Sequence, residues 1–237
     1  MTNLSFGQQE FLNELGTDKA ESFNKLVNSY ERFLQLNYPT IEGKGEQTRA
    51  FMLQLIQVNR TWKYDSLDAI DIIKDLEQSG FRKDIFLYEG EDYEPTYDVA
   101  QFFPETEVQI DTFEIDDDFG IDGLDEYLQL VTVEPTEEQR KIKEERDLKR
   151  EENRIRPFEN NPNGFYHYAL LKSDTSLSVY CRIRYYRITP AITQTLLGFP
   201  TNKLEDWRVQ LPLVVDYYFG NILFRYGKYM KQATNKQ

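Results

Sequence analysis

The sequence predicts an α+β protein: an N-terminal helical hairpin or small bundle, followed by a β-containing region with a C-terminal antiparallel hairpin and a long charged helix. Three observations predict it. Apolar residues recur at three- and four-residue spacing up to about residue 83. The stretch 84–139 then holds no Lys or Arg and is broken by Pro95, Pro104 and Pro135. Beyond residue 164, apolar and polar residues alternate with a period of two, the mark of a half-buried strand.

The helical part reads in order. Residues 5–16 form a short helix with Phe6, Phe11, Leu12 and Leu15 on its apolar side and Gly16 as its stop. Thr17 caps the next helix, with Asp18 and Glu21 in the first turn, where a carboxylate suits the positive end of the helix dipole. Phe23, Leu26, Val27, Tyr30, Phe33 and Leu34 make its buried stripe, and Pro39 lies beyond its end. A third helix is expected over 46–59, presenting Phe51, Met52, Leu55, Ile56 and Val58. Ser66 caps a fourth, with Leu67, Ile70, Ile72, Ile73 and Leu76 facing inward and Gly80 at its C-terminal end. Short connections between successive helices favour antiparallel packing.

The stretch 84–139 is acidic and aromatic at once. Its carboxylates outnumber the formal net charge of −13 carried by the whole chain, so the remainder is slightly basic. Phe86, Tyr88, Tyr93, Tyr97, Phe102, Phe103, Phe113, Phe119 and Tyr127 give it too much apolar mass for a purely solvating tail. Short strands are expected at 84–88, 107–115 and 128–133, separated by acidic loops. Residues 136–156 follow as a helix rich in Glu, Lys and Arg, with Thr136 and Gln139 as a capping box. Only Ile142, Leu148 and Ile155 are apolar there, so it reads either as a solvated helix or as one that packs on another subunit.

Residues 165–172 and 177–188 read as the two strands of a hairpin around a turn at 173–176. Leu177, Val179, Cys181, Ile183 and Tyr185 share one face, and Ser178, Tyr180, Arg182, Arg184 and Tyr186 share the other. Thr189 and Pro190 start a short helical element that ends near Gly198. The runs 209–219 and 222–230 are ambiguous in period, and Val214, Val215, Tyr217, Tyr218 and Phe219 lean the first toward a strand. These shifts divide the chain into a helical region, 1–83, an acidic aromatic-rich connecting layer, 84–139, and a region of charged helix, hairpin and C-terminal elements, 140–237. The boundaries are soft enough for one continuous domain.

No signature of catalysis stands out. His167 is the single histidine and alternates with aromatics, the setting of a packed strand residue. Cys181 is the single cysteine, which excludes an intrachain disulfide and a Cys-based zinc site within one chain. Phosphate-binding, dinucleotide-binding, nucleophile-elbow and zinc-protease motifs are missing. Asp116, Asp117 and Asp118 precede a run that partly resembles a calcium loop, but Gly120 takes the place of the third-position ligand and Gln129 that of the bidentate Glu. No metal or cofactor is expected. Arg182, Arg184 and Arg187 interleave with Tyr180, Tyr185 and Tyr186, a pattern that suits phosphate and base contact, but the acidic stretch of the same molecule competes for those arginines.

With 40% hydrophobic residues and 14% aromatics, the chain is no disordered polymer. Its net charge of −13 disfavours nucleic acid and anionic membrane as partners. No secretory signal or membrane span is read in it, so a virion or the cytoplasm is the expected location. Segregated charge and abundant Tyr, Phe and Arg suit protein contact, and complementary patches on one chain allow a homo-oligomer or ring. Arg182, Arg184 and Tyr186 on one side, and Asp116, Asp117 and Asp118 on the other, are the candidate contact residues. The expectation is a non-enzymatic structural or adaptor subunit of a larger assembly, such as a bacteriophage head–tail connector or neck protein. The alternative is an acidic, immunity- or inhibitor-like binding module that mimics nucleic acid and blocks a basic partner.

Overall fold

A computed structural model describes residues 5–56, 61–102, 158–177, 180–181 and 196–234. The fold is mostly helical, with a small two-stranded antiparallel sheet. α1 spans Phe6–Leu15 and α2 Thr17–Asn37. Ser5 caps α1 by accepting from the Gln8 amide at 3.3 Å, and Gly16, at φ 74°, makes the sharp break that separates the two helices. Thr17 is therefore the first residue of α2, and Gly16 holds the cap position given to Thr17 by the sequence. α3 spans Lys44–Leu55 and α4 Ser66–Gln78. The cap of α4 is Asp65, one residue before Ser66, and its carboxylate accepts from the amides of Leu67 and Asp68. Gly80 follows in the left-handed conformation, φ 74° and ψ 0°, and turns the chain into the short α5, Phe81–Ile85.

β1, Phe86–Tyr88, pairs antiparallel with β2, Phe158–Asn160, in the register Phe86 with Asn160 and Tyr88 with Phe158. Of the strand expected over 84–88, the first two residues belong to α5 instead. The remaining helices are α6, Phe165–Ser173, α7, Trp207–Pro212, and α8, Gly220–Thr234, with a π-helical stretch, Leu213–Phe219, between the last two. Pro212 has no N–H to continue the α-helical ladder, and the winding widens directly after it.

Two sequence expectations are corrected. Residues 165–172 are helical, so the C-terminal antiparallel hairpin is not formed by them. Tyr166, His167, Ala169, Leu170 and Leu171 are all buried, and this near-continuous burial belongs to a core helix that alternation of aromatic and polar letters imitates. Residues 209–219 are α- and π-helical, because Leu211, Val214, Val215, Tyr218, Phe219, Ile222 and Leu223 form one stripe at three- and four-residue spacing. Smaller differences concern faces: Phe6 and Leu67 point to solvent at 81% and 74% exposure, while Ala69 takes an inward place on α4. The strands expected at 107–115 and 128–133 and the charged helix over 136–156 lie outside the described residues.

The chain divides into two compact units, one joining Met1–Pro104 to Pro157–Gln237 and the other Glu105–Arg156. All described residues belong to the first. Its core contains a closed circuit of aromatic edges from four helices: Phe11 on Phe23 at 5.2 Å, Phe23 on Phe81 at 6.1 Å, Phe81 on Tyr166 at 6.0 Å and Tyr166 on Phe11 at 6.0 Å. A second group joins Phe33, Phe51, Trp62, Tyr64 and Tyr218, so the π-helical stretch packs into the N-terminal helices. Edge-on pairs of this kind add about 0.5–1.5 kcal/mol each beyond the area they bury.

Candidate functional site: the root of the acid-rich segment

Between β1 and β2 runs the chain that contains the Lys- and Arg-free stretch, and its root is the most elaborate polar structure among the described residues. Arg82 on α5 is the centre. Its side chain is 1% exposed, and a buried guanidinium is tolerable only when its donors are used. All five N–H groups are. Nε and Nη2 grip Glu77 at 2.9 and 3.0 Å, Nη2 and Nη1 grip Glu91, and Nη1 also donates to the Phe86 carbonyl at 2.8 Å. The planar face lies 4.2 Å from the Tyr88 ring centroid. Glu91 in turn accepts from the Tyr88 amide at 2.8 Å, and Lys83 stands 3.7 Å away from it as a second cation.

Burial by itself raises the Glu91 carboxyl; the hydrogen bonds from Arg82 and the Tyr88 amide, with the charges of Arg82 and Lys83, outweigh it and hold the group below its ordinary range. Two forked carboxylates on one guanidinium fix α4, α5, β1 and the turn after β1 relative to each other.

A second clasp ties the returning chain to the same element. Asp84 is buried, with Lys19 of α2 at 2.6 Å from Oδ2 and the Tyr93 hydroxyl donating to Oδ1 at 2.9 Å. The Tyr93 oxygen then accepts from the Phe165 amide at the start of α6, 3.2 Å away. Burial, followed by the nearby Asp84 charge, pushes the Tyr93 hydroxyl up from its ordinary value. Asn161 donates through Nδ2 to the Lys83 carbonyl at 2.7 Å and through its amide to the Ile85 carbonyl at 2.9 Å. Gly164 completes the fit, since a Cβ on it would lie 1.9 Å from the Asp84 carbonyl oxygen.

A separate hydrogen-bond relay sits between α2, α4 and the π-helical stretch. Ser29 donates to Asp68 Oδ2 at 2.5 Å, so its single proton is spent and Tyr218 donates to it at 2.6 Å. Arg32 neutralises the other Asp68 oxygen at 2.5 Å. The arrangement has the Ser and Asp of a hydrolytic relay, but Ser29 is wholly buried and burial holds Tyr218 in its neutral form. It pins three elements together. Tyr180 similarly donates to Asp216 at 3.0 Å.

The contact residues singled out in the sequence, Arg182, Arg184, Tyr186, Asp116, Asp117 and Asp118, lie outside the described residues. His167 and Cys181 are both buried, on helical rather than strand positions. No group of three or more His, Cys, Asp or Glu poised to hold a metal ion occurs among the described residues, and none of their helices is long and apolar enough to cross a membrane. Arg82, Glu77, Glu91, Asp84, Tyr93 and Gly164 were not singled out by sequence reasoning. The one signal for them is positional: Arg82 and Lys83 are the last cations before the stretch that has none. No protein-family model, curated protein or solved structure matches the chain.

Proposed function

We propose that the chain is a non-enzymatic structural or adaptor subunit of a larger protein assembly, with a bacteriophage head–tail connector or neck component as its specific form. The observation that carries this reading is the root joint. The departing and returning ends of an acid-rich, aromatic segment are fastened to one short element, and the charges there are consumed in holding it. A guanidinium with all five donors engaged has none left for a substrate. Such a joint suits a protein that presents a segment to other subunits from a firm base. Charge segregation supports the same reading, because an acidic stretch on one copy can meet the Arg182, Arg184 and Tyr186 patch on another and extend to a homo-oligomer or ring. A virion, or the cytoplasm in which it is built, is the matching location.

Light scattering of the purified chain across protein and salt concentration tests the reading. The expected result is a discrete oligomer whose molar mass falls as salt rises, with Arg182→Glu/Arg184→Glu shifting it toward monomer. A strict monomer throughout overturns self-assembly. If that monomer forms a tight one-to-one complex with a basic protein, the acidic binding module replaces it.

A further inference from the structure

After the root, residues 93–102 cross the outer face of α6 as a strap. Its only regular structure is a 3₁₀ turn, Val99–Phe102, and side chains hold it in place. Tyr97 lies on two rings of α6, 4.7 Å from Phe165 and stacked 4.9 Å from Tyr168, and Phe102 meets Tyr168 edge-on at 6.0 Å. Phe165 and Tyr168 are themselves stacked at 5.7 Å, one helical turn apart. An ammonium flanks each ring: Lys19 Nζ lies 5.1 Å from the Phe165 centroid and Lys172 Nζ 5.7 Å from that of Tyr168. Both cations also bind carboxylates, Lys19 that of Asp84 and Lys172 that of Glu14. The face is thus a pair of rings between two cations. What covers it is an aromatic residue between acidic neighbours, Glu94 and Asp98, both exposed, with Val99 as the one deeply buried anchor.

We propose that this face of α6 is a docking site for acidic aromatic segments, filled in cis by the chain's own strap and, in the assembly, by the strap of a second copy. The inference rests on the assembly reading and names its contact. A second copy carries the identical segment, so exchange re-forms the same ring and charge contacts, which is the low-cost route to association open to swapped elements. In dilute monomer the tethered strap wins through its high effective concentration; in a crowded assembly the neighbouring strap competes on equal terms.

The probe is a fluorescent peptide of residues 92–103, DYEPTYDVAQFF, titrated into the full chain by anisotropy. Tyr97→Ala, at a half-exposed position, weakens the cis strap, and the peptide is expected to bind this variant at least tenfold tighter than wild type. Adding Tyr168→Ala removes the gain, and raised salt reduces it. Far-UV circular dichroism and the melting temperature of each variant show that the helices persist. Equal peptide binding by wild type and a folded Tyr97→Ala variant overturns the docking site. Should Tyr97→Ala unfold, Tyr168→Ala in the otherwise native chain is read by light scattering. A lower oligomer mass supports strap exchange. An unchanged discrete oligomer overturns strap exchange and leaves the assembly reading standing, whereas a monomeric wild type overturns both.

Discussion

Arg82 decides the strength of the joint at the scale of single residues. Truncating it removes five hydrogen bonds and leaves Glu77 and Glu91 facing one another across the emptied space. Those carboxylates keep 27% and 24% of their side-chain surface, so water relieves part of the repulsion, and Arg82→Ala is expected to cost about 3 kcal/mol, at the lower end of what breaking a buried ion pair costs. Arg82→Lys restores the charge without the two forks and recovers less than half of the loss. Urea denaturation at neutral pH measures both. The pH dependence has a definite sign as well. Glu91 is held below the ordinary 4.5 in the folded chain, so its contribution is complete above that value and is lost as the pH falls through the folded one. Arg82→Ala removes the largest cause of the lowering and must flatten this acid limb; an unchanged limb would place the acid sensitivity elsewhere.

Elements show where the sequence was readable. α1, α2 and α4 carry a single apolar stripe, a capping residue within one position of the expected one, and a glycine at the end; each signal is local and independent of the rest of the chain. α6 was misread because a helix buried on most sides loses its stripe, and short apolar runs rich in Phe and Tyr then look like strands. The stripe of α7, the π-helical stretch and α8 was present in the letters, but Pro212 and the paired valines argued locally against the winding that packing imposes. The root joint was not legible at all, since it depends on β1 meeting β2 and on Gly164 meeting α5. That meeting predicts a sharp contrast between two glycines. Gly164→Ala drives a methyl to 1.9 Å from the Asp84 carbonyl oxygen and 2.6 Å from its carbon, backbone that cannot turn aside. A loss of about 3 kcal/mol is expected, at the upper end of typical overpacking. Gly90→Ala meets no atom within 4 Å and suffers only its positive φ of 78°, a cost of about 1 kcal/mol. Equal losses in thermal melts of the two variants would mean that β2 and α6 do not press on α5 this closely.

Tyrosine burial couples the whole molecule to alkaline pH. Tyr30 on α2, Tyr88 in β1, Tyr93 in the strap and Tyr218 in the π-helical stretch all have hydroxyls pushed above the ordinary value of 10, in each case first by burial. Negative neighbours add to it: Glu77 beside Tyr88, Asp84 beside Tyr93 and Asp68 near Tyr218. In the unfolded chain the same groups release their protons near 10. Above that pH the unfolded state therefore binds fewer protons than the folded one, and stability falls as pH rises. Each deeply buried group, Tyr30 and Tyr218 above all, removes up to about 1.4 kcal/mol per pH unit. Two such groups consume, within about two pH units, a stability comparable to the low end of the 5–15 kcal/mol typical of a domain. Because these tyrosines sit in elements that share one core, they cannot ionise one by one in the folded state. Tyrosinate absorbance and far-UV circular dichroism, followed together from pH 9 upward, are expected to change in a single coincident step, with a first small rise in absorbance from exposed tyrosines. Tyr218→Phe leaves no hydroxyl to ionise and shifts the midpoint upward relative to its own stability at neutral pH. Ionisation of most tyrosines well before the helices melt would show that the N-terminal and C-terminal helices do not unfold as one body.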